Sequence, residues 1–334
     1  MNITKYEIDF INVKDADAIL IHFWDDDRGA DYVVSIDAGR YNDGDEVSRF
    51  VKEYYKKDTI DVAVVTHCDE DHYGGYVKIL ENRLVKINEF WLNDPGKYVT
   101  VDKYKYFRKL SSLRAEVRNV YNEEGDKNLL DLIPSTSIRT ALSYGGDFYS
   151  AFDGIIEILA PTKQYYESLV PDLRHNAKPY DTNIEENDNY ILEAGDCISK
   201  SLDNAPDDTS THNASSVIIM FKPDDDHKFI FMGDACRVSV DKMIVTDCEK
   251  MRNATLLKLP HHGSVHNMDS DMINLINPFF AIASAESASK YFSPVLRNAL
   301  KRKGTKVYST YTNGSLLYSE GLPTRNGYST STPM

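Results

Sequence analysis

Apolar residues recur along this chain in short blocks, most of them closing on an acid, a histidine or a glycine. The runs Tyr6 to Asn12, Ala18 to Trp24 and Tyr32 to Asp37 predict three strands, with Gly39 ending the third. Asp45 to Lys57 carries helical spacing, acids at its start and lysines at its end, an order that suits the helix dipole. Val62-Ala63-Val64-Val65 then runs into a polar turn, and a helix over Tyr76 to Asn82 and a strand near Ile87 to Leu92 follow. Further strand-like runs lie at Ile155 to Leu159, Val217 to Phe221, Phe229 to Met232 and Leu256 to Pro260. Strands alternating with helices predict a layered α/β architecture.

Two stretches depart from this rhythm. Residues 94–154 read as an insertion, in which Tyr98 to Tyr121 is helical. That helix carries Lys103, Lys105, Arg108, Lys109, Arg114 and Arg118, interleaved with Tyr104, Tyr106 and Phe107. It fits either a phosphate-backbone contact with stacking partners or a solvated face whose tyrosines pack on the core. Residues 171–211 are rich in Asp, Glu and Asn and read as a long polar loop with His175 on the surface. A second basic cluster, Arg297, Lys301, Arg302, Lys303 and Lys306, falls on a helix and the turn after it. Residues 321–334 read as a flexible tail, and the mid-strand His22 as a hydrogen-bonded structural residue.

At 334 residues the chain is long enough for one large domain over 1–320. A net charge of −14 and a pI near 5.1 argue against holding DNA through the overall field. No apolar run approaches the roughly 18 residues a membrane span needs, and the N-terminus lacks the apolar stretch of a secretory signal. Cys68, Cys197, Cys236 and Cys248 have no Cys-x-x-Cys spacing and read as reduced thiols. The expectation is a cytoplasmic chain with no membrane segment.

The densest chemistry is Thr66-His67-Cys68-Asp69-Glu70-Asp71-His72-Tyr73-Gly74-Gly75. Two imidazoles and three carboxylates within six positions repel and stay unsatisfied unless a cation gathers them. Imidazole and carboxylate together suit Zn²⁺, Mn²⁺ or Fe. Matching pieces recur at His212-Asn213-Ala214-Ser215-Ser216, Gly233-Asp234 and Leu257-Lys258-Leu259-Pro260-His261-His262-Gly263-Ser264, each beside a strand-like run. Cys68 is expected to be a small buried filler facing away from the ligands.

Taken in order, these fragments resemble the metallo-β-lactamase-fold hydrolases, and more specifically the soluble hydrolase domain of ComEC-type competence proteins and their stand-alone relatives. The phosphorylcholine-esterase branch is similar at the same places. The resemblance implies a four-layer αββα metallo-β-lactamase sandwich with a helical insertion, and two divalent metal ions, Zn or Mn. It implies one metal on His67, Asp69 and His212, a second on Asp71, His72 and His262, and Asp234 between them. Either His212 or its neighbour Asn213 fills the lone-ligand place, and His262 is favoured over His261, which then orients ligands or contacts substrate. Asp69 standing where the superfamily has a second histidine hardens the pocket and makes Mn²⁺ more competitive. Relatives often have a His-Pro where this chain has Ser293-Pro294, so a substrate-contacting or proton-donating histidine is either missing or supplied from elsewhere. Asp71 with His261, His266 and Lys258 are the catalytic candidates, the last three as proton donors. The implied function is a metal-dependent phosphodiesterase or nuclease using a metal-bridging hydroxide on nucleic acid, DNA above all. The alternative is a small-molecule hydrolase acting on a phosphocholine-type ester, cyclic nucleotide or lactone.

Overall fold

The computed structural model describes residues 1–99, 110–122, 127–145, 150–173, 202–285 and 291–334. Among these, strands form two seven-stranded mixed sheets. The first contains β1 (Ile3–Phe10), β2 (Ala18–Asp25), β3 (Ala30–Ala38), β4 (Thr59–Val64), β5 (Lys86–Trp91) and β6 (Ile138–Arg139), with β14 (Leu316–Glu320) on the outer side of β1. The second runs from β7 (Ser150–Ala151) through β8 (Ile156–Ala160), β9 (Ile218–Phe221), β10 (Phe229–Phe231), β11 (Leu256–Lys258) and β12 (Phe280–Ala283) to β13 (Lys306–Ser309). In each sheet the strands on one side run parallel, β3 through β6 in one and β10 through β13 in the other.

Side-chain alternation explains the layering. Tyr6, Ile8 and Phe10 of β1 meet Phe221, Phe229 and Phe231 of the other sheet in an apolar layer between the sheets. Neighbouring positions face outward: Ile218, Met220 and Ile230 pack beneath the helices of the second half, while Leu20, Val33 and Ala63 pack beneath those of the first. Both faces of the central strands are thus apolar, as continuous runs such as Ile218–Phe221 require. The helices covering them are α1 (Gly44–Glu53), α2 (Glu70–Asn82), α3 (Leu110–Arg118), α4 (Leu129–Leu132) and α5 (Lys163–Leu173) in the first part. The second has α6 (Thr211–Ala214), α7 (Arg237–Asp241), α8 (Val245–Lys250), α9 (Ser270–Ile276), α10 (Pro294–Arg302) and α11 (Thr310–Asn313). This is the four-layer αββα sandwich the sequence predicts. No helix of the described residues is long and apolar enough to cross a membrane.

Two expectations change, and a third falls largely outside the described residues. Helix α2 begins at Glu70, inside the polar motif, rather than at Tyr76. Gly74 and Gly75 mask this in the sequence, yet a Cβ on Gly75 would lie 2.0 Å from the Ala38 carbonyl oxygen, so close packing on the end of β3 requires glycine. The segment expected to fray after residue 320 is tied down instead. Arg325 grips Asp9 and Glu7 at 2.6 Å each, lies over the rings of Tyr54 and Tyr328, and the Met334 N–H reaches the Val307 carbonyl. A pairing across more than 300 positions leaves no local trace in the sequence. Finally, residues 103–109 of the basic insertion helix and His175 lie outside the described residues; of the basic positions that remain, Arg118 is committed to Asp94 at 3.2 Å.

Candidate metal centre

The site forms where strand ends from both sheets meet. β4 delivers Thr66 and His67; Asp69 then starts α2, whose first turn supplies Asp71 and His72. Asp69 occupies the N-cap position without accepting any helix N–H, so its carboxylate is free to face inward. α6 brings His212, the end of β10 brings Asp234, and the turn after β11 brings His261 and His262. Both of those histidines have positive φ, 44° and 55°, a conformation non-glycine residues adopt at a cost of roughly 1–3 kcal/mol and one that clusters at functional sites. The halves are stitched there by the Val217 N–H donating to the Thr66 carbonyl at 2.9 Å.

Hydrogen bonds fix the ring nitrogens. His72 Nδ1–H donates to Asp37 Oδ2 at 2.8 Å, and His262 Nδ1–H to the Ser284 carbonyl at 2.9 Å. The Thr66 hydroxyl gives its proton to Asp37 Oδ2 at 2.7 Å, so it accepts from His67 Nδ1–H at 3.1 Å. In the neutral ring each Nε2 therefore presents a lone pair. Those lone pairs face oxygens: His72 Nε2 is 3.4 Å from Asp234 Oδ1, His67 Nε2 is 3.4 Å from Asp69 Oδ2, and His262 Nε2 is 3.6 Å from Asp71 Oδ2. His67 Nε2, His72 Nε2 and Asp234 Oδ1 are buried with no hydrogen-bond partner. Acceptors facing acceptors in a buried space need a cation between them, so the residues fit divalent metal ions. Among the described residues three groups of converging ligand atoms gather around these facing atoms: His67 with His72 and Asp234; Asp71 with His72 and His262; and Cys68 with Asp69 and His212, each within 4.8 Å; a fourth, Asp17 with Asp37 and His72, includes the Asp37 partner of His72 Nδ1.

Electrostatics carry the same demand. Burial raises the carboxyl pKa of Asp69, Asp71 and Asp234, but the histidines outweigh it and hold all three below the ordinary range, Asp234 far below. For His72, burial opposes charging while Asp234, Asp37 and Asp71 push its pKa well up.

His261 stands beside these groups. Its Nδ1 faces Asn267 Oδ1 at 3.1 Å and Asp208 Oδ2 at 3.3 Å, and its Nε2 is 3.8 Å from Asp234. Burial lowers its pKa, yet Asp234 and Asp208 carry it up to about 9. Arg40 sits at the rim, half exposed, 3.7 Å from Asp71 and anchored by donating to the Asp15 carbonyl at 2.6 Å.

Two sequence candidates are placed elsewhere. Lys258 is fully buried on the between-sheet face it shares with Leu256, bonded to Asp17 and to the Gly233 carbonyl. It cannot offer a proton to a molecule in the cleft; strand alternation turns it inward, and it holds Asp17 beneath His72 and His262 at 3.9 and 4.0 Å. His266 directs Nδ1 to the Pro206 carbonyl at 2.8 Å and joins none of the three groups. Cys68 does not face away from the ligands, because the turn into α2 rotates it toward His212. Sequence reasoning missed Asp37, Asp17, Asp208, Asn267 and Arg40. Asp37 had a visible signal, since Ile36-Asp37-Ala38-Gly39 repeats the strand, acid and glycine order of the other ligand turns.

No protein-family profile matches the chain. A search of curated proteins likewise returns no match. Among solved structures, the metallo-β-lactamase fold protein YhfI from Bacillus subtilis aligns over 94% of this chain and 99% of its own, at 10% identity and TM-score 0.45. A diphosphatase of the PhnP family aligns over 96% and 100%, at 9% identity and TM-score 0.38. A long-form RNase Z from yeast aligns over 84% of this chain and 38% of its own, at 11% identity and TM-score 0.34.

Proposed function

We propose that this chain is a metal-dependent hydrolase of phosphodiesters, with residues 1–320 acting as one catalytic domain. The observation that carries the reading is the set of buried imidazole lone pairs aimed at carboxylate oxygens with no donor between them. His67, Asp69 and His212 would hold one divalent cation, Asp71, His72 and His262 the other, with Asp234 between. When bound, such cations lower the pKa of a coordinated water and steady charge on the ester oxygens. The chain's own groups do the rest. Asp37, Thr66 and the Ser284 carbonyl hold the rings in their ligating tautomers. Arg40 orients a phosphate oxygen at the rim, a guanidinium being suited to paired contacts with such anions. His261, steered by Asn267 and Asp208, hands a proton to the leaving oxygen.

Nucleic acids and small phosphodiesters share this chemistry, and one observation favours the small ones. Ser293, capping α10, lies against Gly263 of the site, so Lys301, Arg302 and Lys303 stand roughly 13 Å away at the far end of the helix. Lys306 opens β13, at the end of these parallel strands opposite to the one the site occupies. Apart from Arg297, one turn into the helix, that cluster stands away from the cleft. Metal-stripped protein reloaded with Zn²⁺ or Mn²⁺ should hydrolyse bis(p-nitrophenyl) phosphate, and Asp71→Ala should not. Equal rates in the two proteins refute the site; cleavage of DNA with steep salt inhibition returns the substrate to nucleic acid.

A further inference from the structure

We propose that Cys68 is a metal ligand, so that Cys68, Asp69 and His212 form a pocket of mixed sulfur, oxygen and nitrogen donors selective for a borderline-soft divalent cation such as Zn²⁺. This deepens the reading above by naming the cation class that one end of the site takes. The geometry is that of a site built from two segments far apart in the chain. Cys68 and Asp69 follow β4, and His212 arrives from α6, 143 positions later. Their ligand atoms converge within 4.8 Å. His212 Nε2–H donates to the Leu173 carbonyl at 3.1 Å, which leaves Nδ1 as the ring nitrogen that faces the pocket. Nδ1–H donates to Asp69 Oδ1 at 2.6 Å, and a divalent cation would take the place of that shared proton. The other oxygen of Asp69 faces the unpartnered, buried His67 Nε2. Asp69 thus straddles two ligand groups, with the thiol on the side of only one.

The donor set decides the cation. Thiolate and imidazole favour Zn²⁺, whereas a carboxylate-rich pocket suits Mn²⁺ or Mg²⁺. The neighbouring group of Asp71, His72 and His262 has no sulfur. The two ends therefore differ in softness, and Zn²⁺ should fill the Cys68 end first. A narrow cavity lined by Thr66, His67, Cys68, Tyr121, Tyr166 and Leu173 adjoins this end. Its tyrosine and aliphatic walls keep a thiolate ligand away from bulk solvent and oxidants.

The test uses Co²⁺ as the spectroscopic probe in the 334-residue chain. Wild type should show a sulfur-to-cobalt charge-transfer band in the near ultraviolet, and Cys68→Ser, which keeps size and shape, should lose it while retaining the visible ligand-field bands of the sulfur-free group. Zn²⁺ affinity of Cys68→Ser should fall by about tenfold or more, at least what loss of an outer-shell partner costs, while Mn²⁺ affinity stays level. Stoichiometric Zn²⁺ should also slow alkylation of Cys68, followed by peptide mass spectrometry. Identical near-ultraviolet spectra in the two proteins, or alkylation indifferent to Zn²⁺, overturn the proposal. Hydrolysis is read separately: a wild type that shows the band but cleaves no phosphodiester upholds the thiolate ligand and sinks only the catalytic reading.

Discussion

Asp37 supplies no ligand in the assignment above and instead holds the far side of the His72 ring, yet replacing it with asparagine should disable the site. Its carboxylate accepts three hydrogen bonds: Thr66 N–H at 2.8 Å on Oδ1, then Thr66 Oγ1–H at 2.7 Å and His72 Nδ1–H at 2.8 Å on Oδ2. Asparagine can keep one oxygen for the Thr66 N–H, but its amide NH₂ then opposes His72 Nδ1–H, donor against donor. The ring escapes by moving its proton to Nε2, where Asp234 Oδ1 at 3.4 Å accepts it. The nitrogen meant for a cation is then occupied, a tautomer trap of the kind that costs a triad enzyme most of its rate when its aspartate becomes asparagine. Loss of an orienting partner lowers metal affinity by roughly tenfold to a hundredfold, about 1.4 to 2.7 kcal/mol. Asp37→Ala should do less harm, because water can enter and accept from Nδ1–H. Zn²⁺ titration against a chelating dye gives the affinities, and imidazole nitrogen NMR of His72 gives the tautomer. Wild-type affinity in Asp37→Asn, or tighter binding there than in Asp37→Ala, would refute the reasoning.

Other expectations follow from the same contacts. Lys258→Met leaves Asp17 a buried, unpaired carboxylate, a loss of about 3–5 kcal/mol. With an unfolding entropy of about 2.1 cal/mol/K per residue over 334 residues, Tm falls by about 4–7 °C. Lys258→Met with Asp17→Asn should recover part of that loss, and strict additivity in a thermal melt would show the pair is uncoupled. Arg325→Met strands Glu7 and Asp9, whose side chains are at most 11% exposed. Burial raises the Glu7 pKa, but His22 and Arg325 outweigh it and leave it lowered, so its stabilising share exists above the ordinary carboxylate value and fades as pH falls. The variant should therefore lose most against wild type at neutral pH and least near pH 4, about where free carboxyls titrate; urea midpoints at a constant slope give the comparison, and a gap that widens in acid contradicts it. Gly233→Ala puts a residue with φ near 51° and a Cβ 2.9 Å from Thr66 at the end of β10, at about 1–2 kcal/mol for the backbone alone. Because Thr66 orients His67, Zn²⁺ affinity should fall together with stability, and an unchanged titration would separate the two.

Much of the frame was legible in the chain because each ligand turn carries its own local signature. A strand that ends on His or Asp beside glycine must turn sharply there, and Thr66 to Gly75, Gly233-Asp234 and His261-His262-Gly263 all do so. Asp37 obeys the same rule and could have been found by it. Lys258 was legible too, since sharing a face with Leu256 commits it to the interior. Asp17, Asp208 and Arg40 carry no such mark. They lie in loops whose position depends on which turns meet in space, as Asp208 reaching Asn213 and Asn267 shows at 2.7 and 2.8 Å. Arg325 is the extreme case, where the partner strand lies at the opposite end of the chain. His22 met its structural expectation, held between Glu7 at 3.1 Å and Asp31 at 2.7 Å.

The candidate ligands that face one another come from separate halves: His67, Asp69, Asp71 and His72 from one, His212, Asp234 and His262 from the other. An ion seated among them would act as a clasp, its grip reporting how well the halves are registered. Thinning the aromatic filling between them, at Phe231 for instance, should loosen that grip from a distance. Conversely, supplying the ion in excess should hold the halves shut and raise resistance to unfolding, by a margin that grows with the logarithm of its concentration.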